Sequence, residues 1–111
     1  MWLTEPELMD RLEDGEGNYL LLTSGYGTLR EEFLRIVDEA EAVSVRVAPL
    51  MAHWRKSTLV GATPNMVRSG HYMGRIYDGV LVHESVFHLD LEVVDETFER
   101  IEASLRYRSS T

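Results

Sequence analysis

The stretch from Asn18 to Val47 constrains the fold of this chain more than any other. Residues 19–22 form a short, wholly apolar run, which is typical of a central strand covered on both faces. A segment with apolar residues at helical spacing follows, and residues 43–47 then alternate with period two, as a half-buried strand does. These patterns predict a β-α-β unit. The buried stripe predicted for its helix consists of Leu29, Phe33, Ile36, Val37 and Ala40.

Capping signals predict where several helices begin. Thr4 with Glu7 forms a capping box for a helix to about Glu13, and Thr28 with Glu31 would do the same for the helix of the β-α-β unit. Further along, residues 49–56 fit either a short helix or a loop, and residues 58–62 fit a strand. Thr63 can cap one helical turn after it.

The second half of the chain reads as antiparallel. Residues 72–77 and 80–84 flank Asp78-Gly79, a strong hairpin signal, and residues 86–92 alternate as a third strand. Asp95 can cap a last helix through about Tyr107. The sequence therefore predicts one α+β domain, 1–111, with an N-terminal helix, a β-α-β unit and an antiparallel β-meander closed by a C-terminal helix.

Composition narrows the class of protein. The chain has 111 residues, of which 44% are hydrophobic, enough for one core. No apolar run is long enough for a membrane span and no basic segment precedes an apolar one at the N-terminus, so we expect a soluble, cytoplasmic protein. The absence of cysteine excludes disulfide and thiolate chemistry, and no cofactor motif is present.

The distribution of charge is the most informative feature for function. The formal net charge is −8, which disfavours general nucleic-acid binding, yet residues 42–77 contain no Asp or Glu. An anionic ligand or an acidic partner could bind there, with Trp54 and Tyr72 as stacking faces. Alternatively, these cations only form surface ion pairs with the acidic helices of the same domain. The cations of this basic segment are Arg46, Arg55, Lys56, Arg68 and Arg75.

A second candidate for anion binding is the loop between the first strand and its helix. Backbone N–H groups at a helix N-terminus favour anions, and Gly25 and Gly27 would allow close approach. The loop is neither a P-loop nor a dinucleotide fingerprint, since position 30 is Arg. A tight turn without a ligand is the alternative interpretation. The residues of this loop singled out for binding are Ser24, Gly25, Gly27 and Thr28.

Histidines offer a third, less favoured possibility. His83 and His88 lie near Asp90 and could form a metal site or a small active site built from different strands. Position 87 is Phe, so the zinc-helix motif is incomplete, and no serine lies in a Gly-x-Ser-x-Gly elbow. Unrelated surface histidines are the alternative.

These patterns favour a small, non-catalytic binding or regulatory domain whose basic segment receives an anionic ligand or an acidic partner. The alternative is a protein-interaction or oligomerisation module without a small ligand, whose basic segment only balances its own acidic helices. The edge of the predicted meander could then pair with a partner strand, and a homodimer is a separate possibility. An enzyme or metal site around His83 and His88 is the third hypothesis.

Overall fold

A computed structural model describes residues 1–70 and 76–105 of the chain. Its helices and strands, in chain order, are α1 (Glu5–Asp14), β1 (Gly17–Leu22), α2 (Tyr26–Glu39), β2 (Ser44–Val47), β3 (Leu50–His53), β4 (Ser57–Ala62), α3 (Pro64–Arg68), β5 (Gly79–Val82), the 3₁₀-helix η1 (Glu84–His88) and α4 (Leu91–Ala103). No helix among these described residues is long and apolar enough to cross a bilayer.

The strands form one mixed sheet in the order β2-β3-β4-β1-β5. β1 pairs in parallel with both β4 and β5, whereas β3 runs antiparallel to β2 and to β4. The α+β class and the helices near both ends of the chain are therefore confirmed. Since β1, β4 and β5 point the same way, the loops that follow them meet at one edge of the sheet, called here the carboxyl edge.

Two apolar clusters cover the two faces of the sheet, and β1 contributes to both. Tyr19 and Leu21 pack with α1 and α2, whereas Leu20 and Leu22 pack with α3, η1 and α4. A strand buried on both faces needs apolar side chains at every position, which explains the uninterrupted run at residues 19–22. The stripe predicted for α2 is buried, as expected.

The predicted β-α-β unit takes an extended form. β2 lies parallel to β1, because two antiparallel steps separate it from β4, but β3 and β4 lie between the two strands. α2 therefore connects a central strand to the edge of the sheet. All four residues of β2 are exposed, so the prediction of a half-buried strand is wrong.

The predicted hairpin at Asp78-Gly79 is also wrong. Gly79 begins β5, which pairs in parallel with β1, and neither residue has the positive φ that a type I′ turn requires. The Asp78 carboxylate instead accepts a hydrogen bond from the backbone N–H of Asn18 at 2.9 Å. Gly79 is required for close packing, since a Cβ there would lie 2.5 Å from Leu3 Cδ1. Of the flanking strand predicted at 72–77, residues 71–75 lie outside the described part of the chain.

The third predicted strand is helical. Residues 84–88 form η1 and α4 begins at Leu91, so the alternation over residues 86–92 does not follow burial: Phe87 and Leu91 are both exposed. The antiparallel meander of this fold consists of β2, β3 and β4, and the segment 49–56 supplies β3 instead of a helix or loop.

Capping predictions succeed where the signal is local. Thr4 and Glu7 form the expected capping box, and the Thr63 side chain accepts from Met66 N–H at the start of α3. α2, however, begins at Tyr26 with Gly25 as its N-cap, so Thr28 lies inside the helix and caps nothing. Likewise, α4 begins at Leu91, before Asp95, and ends at Ala103 with Ser104 as its C-cap, so its predicted end at about residue 107 is wrong.

Candidate functional site

The most distinctive surface of the fold is the outer edge of the sheet. Val43, Val45 and Val47 are 72%, 44% and 46% exposed, although β-branched residues of a strand are usually covered by packing. These three residues are called here the valine edge. Within the described residues, no strand pairs with the outer side of β2, so the edge offers unpaired backbone groups together with apolar side chains.

Strand pairing shows which way each side chain of β2 points. Val45 and Val47 lie opposite Ala52 and Leu50, which belong to the core beneath α2, so both valines lie on the α2 face. Arg46 lies opposite Met51, which packs against the other cluster, so Arg46 lies on the opposite face. The valine edge therefore presents an apolar face and a cationic face to any strand beside it.

The backbone of β2 is oriented for pairing. The carbonyl oxygen of His53 accepts from the N–H of Val43 at 2.8 Å, so the backbone groups of His53 point toward β2, and those of Ser44, which lies opposite His53, point toward β3. Because alternate residues of a strand direct their N–H and C=O groups to opposite sides, Val45 directs its own to the open edge.

The opposite edge of the sheet is protected. Residues 1–3 run alongside β5: Val80 N–H donates to Met1 O at 2.9 Å, and Leu3 N–H donates to Val80 O at 2.8 Å. Charged side chains, bulges and covering segments are common ways to protect an edge strand. The β5 edge has a covering segment, whereas on β2 Arg46 is the only charged side chain.

An apolar cavity of about 560 Å³ adjoins the end of the valine edge. It lies at the carboxyl edge, where α2 leaves β1 toward one face and α3 leaves β4 toward the other. Ligands of open α/β sheets commonly bind where the helices after two neighbouring parallel strands go to opposite faces of the sheet. None of the described residues that line the cavity is charged, and Val47 belongs both to the cavity and to the valine edge. Its lining residues are Tyr26, Leu29, Val47, Ala48, Pro49, Leu50, Gly61 and Met66.

The basic segment does not form one cluster. Arg46 lies on β2, and Arg55 and Lys56 lie in the β3–β4 turn at the other end of the sheet from the cavity. Arg68, on α3, forms an ion pair with Glu96 of α4 at 3.2 Å, as the ion-pair alternative predicts for this one residue. Within the described residues, no carboxylate oxygen lies within 4.0 Å of the other three cations. The fifth cation, Arg75, lies outside the described residues.

Of the two predicted stacking residues, Trp54 is part of the core. Its side chain is 9% exposed, and its indole N–H donates to the carbonyl oxygen of Ala40 at 2.7 Å. The ring thus binds the β3–β4 turn to the end of α2, and the prediction of an exposed stacking face is wrong for this residue. Tyr72 lies outside the described residues.

The predicted glycine loop lies at the carboxyl edge as expected. A Cβ added at Gly25 or at Gly27 would meet nothing within 4 Å, and the first turn of α2 contains no acidic residue. Ser24, by contrast, is engaged within the protein, because its backbone N–H donates to Ser85 Oγ at 3.1 Å.

Sequence reasoning missed a polar network that starts at this serine. Ser85 Oγ lies 2.9 Å from His83 Nδ1, and that nitrogen also accepts from the backbone N–H of Ser85 at 3.1 Å. Nδ1 is therefore the acceptor, and the Nε2 side of the ring faces the Glu32 carboxylate at 3.8 Å. Serine, histidine and a carboxylate are also the residues of a hydrolase triad, in which the serine faces Nε2 and the carboxylate faces Nδ1. Here the imidazole has the opposite orientation, with the serine at Nδ1 and the carboxylate at Nε2. His83 acts as the N-cap of η1 by accepting the Ser85 N–H. The His-x-Ser spacing in the sequence could have suggested this cap.

The network continues to α1 through Arg35. This guanidinium contacts Glu32 at 2.8 Å and binds both carboxylate oxygens of Glu5, at 2.6 and 3.0 Å. Hydrogen bonding to Arg35 lowers the pKa of Glu5, and the two carboxylates, that of Glu5 foremost, raise the pKa of Arg35. These contacts join α1, α2 and the loop after β5 beneath the carboxyl edge.

The predicted histidine site is not assembled. His83 caps the beginning of η1, His88 ends it, and Asp90 is at the N-cap of α4. In the described part of the chain, no three His, Cys, Asp or Glu side chains are grouped closely enough to hold a metal ion.

Comparison with known proteins places this fold and site in no family: no family model, no curated protein and no solved structure matches the chain.

Proposed function

We propose that this chain is a protein-interaction module that binds an extended segment of a partner as an additional strand beside β2. The observation that carries the proposal is the valine edge, which combines three exposed valines with outward backbone groups on a strand that has one charged side chain. In strand addition, backbone hydrogen bonds supply affinity and neighbouring pockets select side chains. The apolar cavity beside Val47 is suited to that second role.

The proposal is tested by blocking the edge. Val45→Lys places a charge on the α2 face of the edge, and Val45 is exposed enough for folding to tolerate the change. Leu91→Lys is the matched control, because Leu91 is an equally apolar, exposed residue on α4, away from β2. Binding partners should be retained by wild type and by Leu91→Lys, and lost with Val45→Lys.

Amide hydrogen exchange locates the binding surface directly. In any complex that Val45→Lys disrupts, the wild-type amide of Val45 should exchange more slowly than in the chain alone, since strand addition would give it an acceptor. Partners that bind Val45→Lys as well as wild type, or wild-type complexes without slower exchange at this amide, would contradict the proposal.

Binding of an anionic ligand is a second candidate function, favoured because no carboxylate oxygen of the described residues lies within 4.0 Å of Arg46, Arg55 or Lys56. Such cations on an acidic chain would attract phosphate or carboxylate groups. A thermal-shift screen with phosphate, nucleotides and polyanions tests it, because ligand at about a hundredfold over its dissociation constant stabilises by about 2.7 kcal/mol. The shift should weaken in high salt and disappear with Arg55→Ala/Lys56→Ala.

A further inference from the structure

We infer that the strand added beside β2 is β2 of a second copy of this chain, running antiparallel with Val45 of one copy opposite Val45 of the other. The inference rests on the proposed function, because it names the partner of the same edge. A two-fold axis through Val45 would make the contact closed and self-complementary.

Charge favours this edge for the approach of two identical chains. Each copy carries a formal charge of −8, so most faces of the two molecules repel each other. The hairpin of β2 and β3 comes from the acid-free stretch 42–77, and its ionisable side chains are those of Arg46 and His53. Two copies meeting there bring no carboxylates of these strands together.

The outward backbone groups of β2 match those of a second β2. Val45 directs its N–H and C=O groups to the open edge, because Ser44 and Arg46, opposite His53 and Met51, direct theirs toward β3. With Val45 on the axis, Val45 of each copy exchanges both of its hydrogen bonds with Val45 of the other. The two residues then form a hydrogen-bonded pair.

Side-chain pairing favours the register centred on Val45 over the registers centred on Arg46 or Ser44. Centring on Val45 pairs valine with valine at all three positions of the valine edge and sets Arg46 opposite Ser44. A register centred on Arg46 would set two guanidinium groups directly opposite each other. One centred on Ser44 would leave Val47 without a partner. Apolar and backbone contacts dominate the Val45 register, so the dimer should persist in high salt.

The association state is measured by sedimentation equilibrium of the full chain. Wild type and Leu91→Lys should form a dimer with equal dissociation constants, at low and at high salt. Val45→Lys would set two lysines opposite each other at the axis, so its dissociation constant should rise at least about tenfold, the equivalent of about 1.4 kcal/mol.

Cysteine crosslinking tests the register, because the natural chain contains no cysteine. In this register the two Val45 Cα atoms would lie about 5.5 Å apart, within the range that a disulfide spans, so oxidised Val45→Cys should form a covalent dimer. Val43→Cys is the control. Its two copies would lie four residues apart along the strands, roughly 13 Å, and should not crosslink. Mixing Val43→Cys with Val47→Cys should restore crosslinking.

The outcomes separate this inference from the proposed function. A monomer at all concentrations, together with partners that Val45→Lys releases, would overturn the second copy as occupant and leave strand addition in place. A dimer that crosslinks equally through Val43→Cys and Val45→Cys would overturn the register. A dimer that neither Val45→Lys nor Val45→Cys affects, with no partner released by Val45→Lys, would overturn both proposals.

Discussion

The indole nitrogen of Trp54 lies 2.7 Å from the carbonyl oxygen of Ala40, so the β3–β4 turn is bonded to the end of α2. Ala40 follows the last residue of α2, where backbone carbonyls have no partner within the helix. The tryptophan therefore satisfies a carbonyl that would otherwise be buried without a donor. It also holds in place the segment from which β2 emerges.

Replacing Trp54 by Phe should destabilise the fold by about 1–3 kcal/mol, because the ring is kept while the buried carbonyl of Ala40 loses its donor. Urea unfolding followed by circular dichroism measures the change. Trp2→Phe is the control: Trp2 is 40% exposed, and its substitution should change the free energy of unfolding by less than about 0.5 kcal/mol. Equal losses in both variants would contradict the assigned role of Trp54.

Two glycines should respond to alanine with opposite signs. A Cβ at Gly61 would lie 3.0 Å from Leu29 Cδ1 and 3.3 Å from Phe33 Cδ2, so Gly61→Ala should lose about 1–3 kcal/mol through overpacking beneath α2. Gly27 lies in the first turn of α2 with open space around it, and Gly27→Ala should gain up to about 1 kcal/mol in helix propensity. A neutral Gly61→Ala would show that Leu29 and Phe33 can move apart.

Arg35→Gln should destabilise the fold at neutral pH by about 1 kcal/mol, since it removes one cation from three carboxylates at a half-exposed site. The pKa of Glu5 lies below its ordinary 4.5 in the folded chain. The stabilisation is therefore complete above that ordinary value and is lost as the pH falls through the lowered pKa. The difference from wild type should vanish at about pH 2 in urea unfolding.

Arg30→Gln is the matched control for this charge network. Arg30 is an exposed arginine of the same helix, and in the described part of the chain no carboxylate oxygen lies within 4.0 Å of its guanidinium. Its substitution should leave the free energy of unfolding nearly unchanged at both pH values. A loss with Arg35→Gln that persists in acid would point to packing of the long side chain and not to its charge.

His83→Ala should cost about 0.5–2 kcal/mol, the usual range for loss of an N-cap, because Nδ1 accepts the Ser85 N–H at the start of η1. His83→Asn should recover most of this, since an amide oxygen can accept the same bond. Thermal unfolding of both variants measures the effect. His88→Ala, at the exposed end of η1, is the control, and a loss equal to that of His83→Ala would contradict the capping role.

Local chemistry determined the features that the sequence predicted correctly. The capping box of Thr4 and Glu7 involves atoms within one helical turn, as does the Thr63 cap of α3. The continuous apolar run of β1 likewise reports burial on both faces, wherever the neighbouring strands come from.

Long-range packing decided the features that the sequence predicted wrongly. Asp78-Gly79 carries the residues of a hairpin turn, but pairing of β5 with β1 and contact with Leu3 place the glycine in a parallel strand. Trp54 has polar neighbours in sequence, and only the approach of α2 provides a carbonyl for its indole. Contacts of this kind join residues distant along the chain, which local patterns do not encode.

In the candidate site, too, the local sequence determined one feature and long-range packing decided another. The alternation of Val43, Val45 and Val47 identified a strand, because side chains point to opposite faces with period two in any strand. Whether the apolar face of that strand is covered depends on its place in the sheet. The order β2-β3-β4-β1-β5 sets these valines at the uncovered edge. The sequence by itself therefore determined that β2 is a strand with one valine face, and the tertiary structure alone decided that this face is exposed.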